Sequence, residues 1–522
     1  MTPSAPWPPR RRNVRRGLLL ACALLAGAHL ASACGSDPGV VTDAGPSPSA
    51  TATTTTTTPP VPTAPPDAGD AGARDAASPP DATPADASAD APVDSGGDAA
   101  VDAAPPIPPN ILLVIGDDMG VDSNVCYAVS ADPGRAPRIA ALCAGGVTFD
   151  NAWSMPSCSP TRATIMTGRH GFRTTVGFAG HPLPPGERAL PTALTEGNPT
   201  YAVGAVGKWH LQGPLNGGAN HPNLVGFPTY VGNLQGGVAN YSSWTRTVNG
   251  VSAPETGYAT TVTTNDARDW INAQATPWFL WLAYNSAHSP FHTPPATLHT
   301  YGEINGVPPP VRPYTHYHAM LEAMDMELGR LLDGLDPVVR ARTWVIFVGD
   351  NGTPAEVAQA PIPTGHAKGT IYQGGVHVPL TISGPGVVAP GRRVSALVST
   401  VDLFKTILEL ANVDPALALP AGGATVDSVS VVPYLKNPSQ APLRSWIMTE
   451  QFGNTAGFGR TGKTIRDASY KLIRFDAGDT ELYDLRVDPQ ELDNLMAAPL
   501  SVEAAAHEQS LTMELDALLA SP

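Results

Sequence analysis

The sequence predicts an α/β fold: a large, mostly parallel central sheet flanked by helices, followed by a smaller C-terminal α+β domain. Three observations carry this prediction. From Pro108 onward, short apolar runs alternate with stretches of helical periodicity, as in the strand–helix units that build parallel sheets. Four of those runs stop at a cluster of Gly, Asp, Asn, Lys or His, and open α/β sheets bind ligands beyond the carboxyl ends of their strands. From about residue 441 the texture changes to short strand-like runs with a helical stretch after them.

The four runs are residues 111–115, 201–206, 278–284 and 344–348. Each is nearly continuous in apolar residues, the signature of a strand covered on both faces. They deliver, in order, Gly116-Asp117-Asp118, Gly207-Lys208-Trp209-His210, Asn285-Ser286-Ala287-His288 and Gly349-Asp350-Asn351-Gly352. Residues 318–335 and 400–411 repeat apolar side chains at helical spacing and are expected as amphipathic helices. In the C-terminal part, residues 445–450, 468–475 and 481–485 are expected as strands, and 501–519 as a closing helix. The domains are therefore drawn at 108–440 for the main body and 441–522 for the small domain.

Upstream of Pro108 the chain has another character. Residues 1–33 combine a basic start (Arg10, Arg11, Arg12, Arg15, Arg16), an apolar stretch too short for a confident membrane span, and small residues at its end, as in a secretion signal. Ala31-Ser32-Ala33-Cys34 resembles a bacterial lipobox, although Leu is usual where Ala31 stands. Cys34 is thus expected to be lipidated, with simple secretion as the alternative. Residues 34–107 are rich in Ala, Asp, Pro and Thr and contain no Phe, Trp or Tyr, so they are expected as a disordered tether. The expected location is the bacterial periplasm or cell surface, with membrane contact only through the lipid.

The formal net charge is −15, and residues 108–522 hold 25 basic against 35 acidic side chains. That balance argues against a nucleic-acid partner. An anionic substrate must be drawn in by a local cationic pocket. Five cysteines are too few for a disulfide framework. Cys126 and Cys143 either pair in an oxidising compartment or stay as buried thiols.

Cys158-Ser159-Pro160-Thr161-Arg162 is the most informative segment. Pro160 suits the first turn of a helix, which would put Cys158 at the positive end, a natural place for an anion. Arg162 lies one turn on and returns to the same face. With the continuation Ala163-Thr164-Ile165-Met166-Thr167-Gly168-Arg169, the run resembles the C-x-P-x-R motif of formylglycine-dependent sulfatases, a family of the alkaline phosphatase superfamily. The resemblance extends over most of residues 108–496 and is closest to the arylsulfatase branch. It includes residues 110–119, Gly207-Lys208-Trp209-His210-Leu211, His288-Ser289-Pro290, Gly349-Asp350-Asn351-Gly352, Lys368-Gly369-Thr370-Ile371-Tyr372-Gln373-Gly374-Gly375, and Glu481-Leu482-Tyr483-Asp484-Leu485 with Asp488-Pro489.

This resemblance implies a sulfuric ester hydrolase. A formylglycine-generating maturase would oxidise Cys158 to an aldehyde whose hydrate attacks sulfur. Asp117, Asp118, Asp350, Asn351 and the matured Cys158 would hold a divalent cation, calcium by the family's habit, with magnesium the alternative. Lys208 and Lys368 would grip the sulfate oxygens, His210 would contact the hydrate, His288 would protonate the leaving alcohol, and Arg162 would orient the hydrate and the carboxylates. The substrate would be a sulfate-ester small molecule or a sulfated glycan. Two departures stand out: the family usually has Glu where Gln373 stands and Arg where His377 stands. A phosphonate monoester or phosphodiester hydrolase using the same hydrate is the neighbouring reading. A sulfated-glycan-binding lipoprotein without turnover is the distant one. Tyr230, Tyr241 and Trp244 either face a substrate ring or pack, and His292 is equally open.

Overall fold

The computed structural model describes residues 107–416, 424–453 and 459–521. The expected export signal, Cys34 and nearly all of the expected tether lie outside these residues. Strands β1 (Asn110–Gly116), β2 (Gly146–Trp153), β3 (Ala202–Gly207), β4 (Thr229–Gly232), β5 (Trp244–Val248), β6 (Val251–Glu255), β7 (Trp278–Ala283), β8 (Thr343–Gly349), β9 (Leu380–Ser383) and β10 (Arg392–Ser399) form one sheet. Its order is β10-β2-β9-β8-β1-β7-β3-β4-β5-β6. The centre, β8-β1-β7-β3-β4, is parallel throughout. β9 runs against both its neighbours, as do β5 and β6 against theirs. The four expected runs are β8, β1, β7 and β3, side by side.

Their apolar continuity follows from burial on both faces. Ile111, Leu113 and Ile115 of β1 join one apolar layer, and Leu112 and Val114 join the other. The first layer is closed by the helices Cys158–Thr167 and Leu403–Leu410, through Ala163, Ile165, Leu403, Phe404 and Ile407. The second is closed by Pro313–Asp333, through Met320, Met324, Leu328 and Leu331. That helix starts a turn before the expected residue 318 because Pro313 sits at its first position. The expected helix at 400–411 splits into a 3-10 turn over Thr400–Asp402, closed by a capping box between Ser399 and Asp402, and the helix Leu403–Leu410. No helix among the described residues is long and apolar enough to cross a membrane.

A smaller antiparallel sheet follows, made of β11 (Ile447–Gln451), β12 (Gly462–Arg466), β13 (Tyr470–Phe475) and β14 (Thr480–Asp484). The helix Val502–Ala520 packs Ala504, Leu511 and Leu515 against Met448, Ile465, Leu472 and Leu482 of that sheet. Thr449 Oγ1 donates to the Ser154 carbonyl at 2.9 Å, tying the small sheet to the end of β2. Lys471 of β13, in a fully buried ion pair with Glu491, donates from Nζ to the Ile371 carbonyl at 2.8 Å, a second link from the small sheet to the main body. Cys126 and Cys143 form a disulfide, which decides the alternative left open by the sequence.

Glu450 on β11 is buried without an ionic partner. Its Oε1 accepts the Phe172 N–H at 2.6 Å, while Oε2 has no hydrogen-bond partner. Burial pushes its carboxyl up to about 7. Because the folded value lies above the unfolded one, the proton favours the fold below the unfolded value, and that stability is lost as pH rises through about 7. Glu450→Gln is expected to gain on the wild type by about 3 kcal/mol between pH 4.5 and pH 8. Thermal melts of both proteins across that range check it.

Candidate active site

The site is assembled at the carboxyl ends of β8, β1, β7 and β3, whose registers bring Gly116 opposite Gly349 and Ala283 opposite Gly207. Backbone hydrogen bonds lock the strand-end segments together. Asp350 N–H donates to the Gly116 carbonyl (3.1 Å), Asp117 N–H to Ser286 (3.0 Å) and Lys208 N–H to Ala283 (2.8 Å). Gly207 makes the last contact possible. Its φ is 98°, and a Cβ there would lie 1.9 Å from the Ala283 oxygen. Asp118 and His210 take positive φ of 60° and 61°, a cost that non-glycine residues bear mostly at functional sites.

The helix Cys158–Thr167 aims its N-terminus at these strand ends, with Cys158 as its first residue and only 2% exposed. Cys158 Sγ lies 3.6 Å from Asp117 Oδ1. Arg162, fully buried, donates from Nη2 to Asp350 Oδ2 and from Nη1 to the Lys208 carbonyl, both at 2.8 Å. Lys208 Nζ reaches Asp117 Oδ2 and Lys368 Nζ reaches Asp118 Oδ1, each at 2.6 Å. Asn351 Nδ2 donates to Asp118 Oδ1 at 2.8 Å. His288 Nδ1–H donates to the Ser289 carbonyl at 2.7 Å, which fixes the tautomer and leaves Nε2 facing Asp118 Oδ2 at 3.9 Å.

Burial dominates the electrostatics. It pushes the Cys158 thiol up to about 12, so an unmodified cysteine here is not a thiolate at neutral pH. Desolvation likewise raises Asp117, outweighing Lys208. For Asp118 the desolvation is overcome by Lys368 and His288, and its carboxyl is held below the ordinary range. Burial, assisted by Lys208 and Lys368, pulls His288 down to about 4 against the pull of Asp118.

The donor set suits a hard divalent cation. One ligand atom each from Asp117, Asp118, Cys158 and Asp350 lies within 4.8 Å of the others, and all four residues are buried. Asn351 Oδ1 is buried beside them with no hydrogen-bond partner, an oxygen left free for an ion. Carboxylate and amide oxygens in this number match calcium or magnesium chemistry.

The sequence-derived site residues Asp117, Asp118, Cys158, Arg162, Lys208, His288, Asp350, Asn351 and Lys368 thus converge. The His210 ring has no hydrogen bond to Cys158. His210 is joined to the helix Cys158–Thr167 through Ser159, whose Oγ donates to the His210 carbonyl at 2.8 Å. Gln373 and His377 stay off the ligand cluster: Gln373 Oε1 accepts the Trp153 indole N–H and His377 Nε2 donates to the Asp150 carbonyl, both at 2.7 Å. The open aromatic positions resolve as packing. Tyr230, Tyr241 and Trp244 are buried, and Tyr241 Oη donates to the carbonyls of Asn285 (2.5 Å) and His288 (2.7 Å). His292 packs against Tyr241, with ring centroids 4.2 Å apart and ring planes tilted by 30°. Sequence reasoning missed Ser159 and Tyr317; the latter's Oη donates to the Asp118 carbonyl at 2.7 Å. Tyr317 had no local signal, whereas Ser159 stood beside the motif cysteine.

Comparison with known proteins agrees with this geometry. The Sulfatase family model matches residues 109–413, and a model described as N-sulphoglucosamine sulphohydrolase, C-terminal, matches 366–519. The chain is 31% identical to human (Homo sapiens) N-acetylgalactosamine-6-sulfatase over 369 residues, 63% of this chain and 66% of that protein. It is therefore matched over just under two thirds of that relative's length. Against human arylsulfatase A it is 27% identical over 483 residues, covering 78% of this chain and 89% of the other. The crystal structure of Ps i-CgsB in complex with k-i-k-neocarrahexaose superposes with a TM-score of 0.65 at 25% identity, covering 79% of this chain and 92% of that one. A matched region of this extent, together with the assembled strand-end cluster, establishes that the chain belongs to the sulfatase family.

Proposed function

We propose that this protein hydrolyses sulfate esters, with a formylglycine hydrate derived from Cys158 as nucleophile and a bound divalent cation, calcium or magnesium. The observation that carries the reading is the convergence of Cys158, three carboxylates, Asn351 and two lysines at one buried point. When bound, the cation would neutralise charge on the sulfate oxygens and acidify the nucleophile. Asp117, Asp118, Asp350 and Asn351 would hold it.

This chain's own residues do the rest. Lys208 and Lys368 turn from their carboxylates toward the sulfate oxygens as point charges. Arg162 keeps Asp350 and the Lys208 backbone in register beneath the nucleophile. One hydroxyl of the hydrate, its proton lost to solvent, would attack sulfur as the bond from sulfur to the alcohol oxygen breaks. His288 Nε2 gives the departing alcohol its proton. The free imidazole is neutral at pH 7; the negative ester seated against it favours the imidazolium that this step needs. Loss of the second hydroxyl's proton would then let the carbon–oxygen bond to sulfate break, restoring the aldehyde for rehydration. His210 is the nearby imidazole suited to take that proton.

The names of the relatives support an ester on a carbohydrate, either a small sulfated sugar or a sulfated glycan. A maturase that forms the aldehyde is the protein partner this scheme requires. The Cys126–Cys143 disulfide supports an exported protein, in line with the leader and the lipid-site reading of Cys34.

The reading is tested by parallel kinetics on nitrophenyl sulfate and a nitrophenyl phosphonate, with the matured enzyme. A larger kcat/KM for the sulfate is expected, and dominance of the phosphonate would overturn it. His288→Ala is expected to slow alkyl sulfates by about 10²- to 10⁴-fold and nitrophenyl sulfate far less, since only the poor leaving group needs the proton. A leaving-group series measures this, and equal losses would remove the general-acid role.

A further inference from the structure

The turn at residues 233–238 lies against both catalytic imidazoles. A Cβ on Gly236 would fall 2.5 Å from His210 Cε1 and 2.6 Å from Nε2. A Cβ on Gly237 would fall 3.0 Å from His288 Nδ1 and 3.1 Å from Cε1. Real Cβ atoms essentially never approach as closely as the first pair, and seldom as closely as the second. Only backbone can occupy these positions with the rings where they are.

The turn is itself fixed. Asn233 Nδ2 reaches the carbonyls of Gln235 (3.1 Å) and Gly237 (3.0 Å) and Asn285 Oδ1 (3.1 Å). Asn233 Oδ1 accepts the Gln235 N–H at 3.1 Å, so one buried amide knots the whole turn. The same turn is joined to both strand ends. Asn233 N–H donates to the Gly207 carbonyl (3.1 Å), and its carbonyl accepts Trp209 N–H (2.9 Å). The Leu234 carbonyl accepts the N–H of His210 (3.0 Å), holding that residue in its positive-φ conformation. On the other side, the Asn285 carbonyl accepts His288 N–H at 2.9 Å. The remaining flank of the His210 ring faces Gly180, where a Cβ would lie 3.7 Å from Nε2, and Gly180 N–H is held by Ser159 Oγ at 2.8 Å. His210 Nδ1 has no hydrogen-bond partner. Its ring is therefore located by contact with these backbones, not by a polar bond.

We infer that Asn233 is a positioning residue that, through Gly236 and Gly237, sets the ring positions of His210 and His288 together. Nucleophile-side and leaving-group-side imidazoles are thereby registered by one knotted turn. This rests on the reading of both histidines given under Proposed function. A glycine turn that was merely compact would affect stability alone, so the discriminating readout is the leaving-group dependence.

Gly237→Ala pushes on His288 and is expected to lower kcat on an alkyl sulfate by about tenfold to a hundredfold, with less than about threefold loss on nitrophenyl sulfate and little change in KM. Gly236→Ala displaces His210 and is expected to slow both esters alike. Asn233→Ala loosens the turn without adding bulk and is expected to slow both esters through His210, with a further loss on the alkyl sulfate through His288. It carries the test if Gly237→Ala does not fold. Equal losses on the two esters for Gly237→Ala and Asn233→Ala, or unchanged rates, would overturn the inference. If the wild type turns over neither ester, the functional reading fails separately. Crystal structures of wild type and Gly237→Ala then decide the geometry: a displaced His288 ring supports the inference, and an unmoved ring overturns it.

Discussion

Cys158→Ala is expected to reduce sulfate release by at least about 10⁴-fold while leaving a folded protein that melts close to the wild type. The two halves of this expectation have separate causes. Position 158 is buried at the first turn of its helix, and losing one sulfur from a well-packed site costs only about 1 kcal/mol. The chemistry, in contrast, loses its nucleophile entirely. Cys158→Ser sharpens the argument, because a serine could attack sulfur once but has no second hydroxyl on the same carbon to expel sulfate. It is expected to stall after a single turnover. Retained steady-state hydrolysis by either variant would refute the role of position 158.

Asp350→Ala is the second large effect, and it should strike stability and activity together. Asp350 Oδ2 is the acidic partner of Arg162, and both side chains are fully buried. Breaking a buried pair by removing one partner leaves an uncompensated charge and costs about 3–5 kcal/mol. The same carboxylate belongs to the four-residue cluster suited to a cation. Activity is expected to fall by about 10³-fold or more, and bound divalent metal, measured by elemental analysis, to drop with it. Chelation of the wild type should reproduce the loss of activity, with calcium or magnesium restoring it. A variant as stable and as metal-loaded as the wild type would contradict both arguments.

Much of this site was legible in the sequence because of how parallel sheets are built. β1, β3, β7 and β8 are buried on both faces, so each is a continuous apolar run that ends abruptly. The residues just after those ends are the ones that meet, and Asp117, Lys208, His288 and Asp350 could be named before their contacts were seen. The edges were harder to see. β9 has only four residues, β10 opens on Arg392-Arg393 with one side partly exposed, and β12 is a short run containing Lys463 and Arg466. None of these presents a long apolar stretch or a clean alternation.

Residues that act through the backbone were also hidden. Tyr317 holds the Asp118 carbonyl from 199 positions away, and Asn233 reaches Asn285 across 52. Such bonds depend on two distant segments arriving together, and nothing local to either residue marks them. Tyr241 shows the converse. An aromatic in a loop left substrate contact and packing both open, and its hydroxyl is spent on the Asn285 and His288 carbonyls. Tyr241 thus supports the turn that carries the proposed general acid.

The central claim is that position 158 works as an oxidised, hydrated carbonyl. The mass of the peptide containing that position, taken from material that releases sulfate, tests it most directly. Conversion of thiol to aldehyde is predicted to lower the mass by about 18 Da, in a fraction that rises and falls with specific activity. An active preparation in which that peptide is entirely in the thiol form would contradict the account.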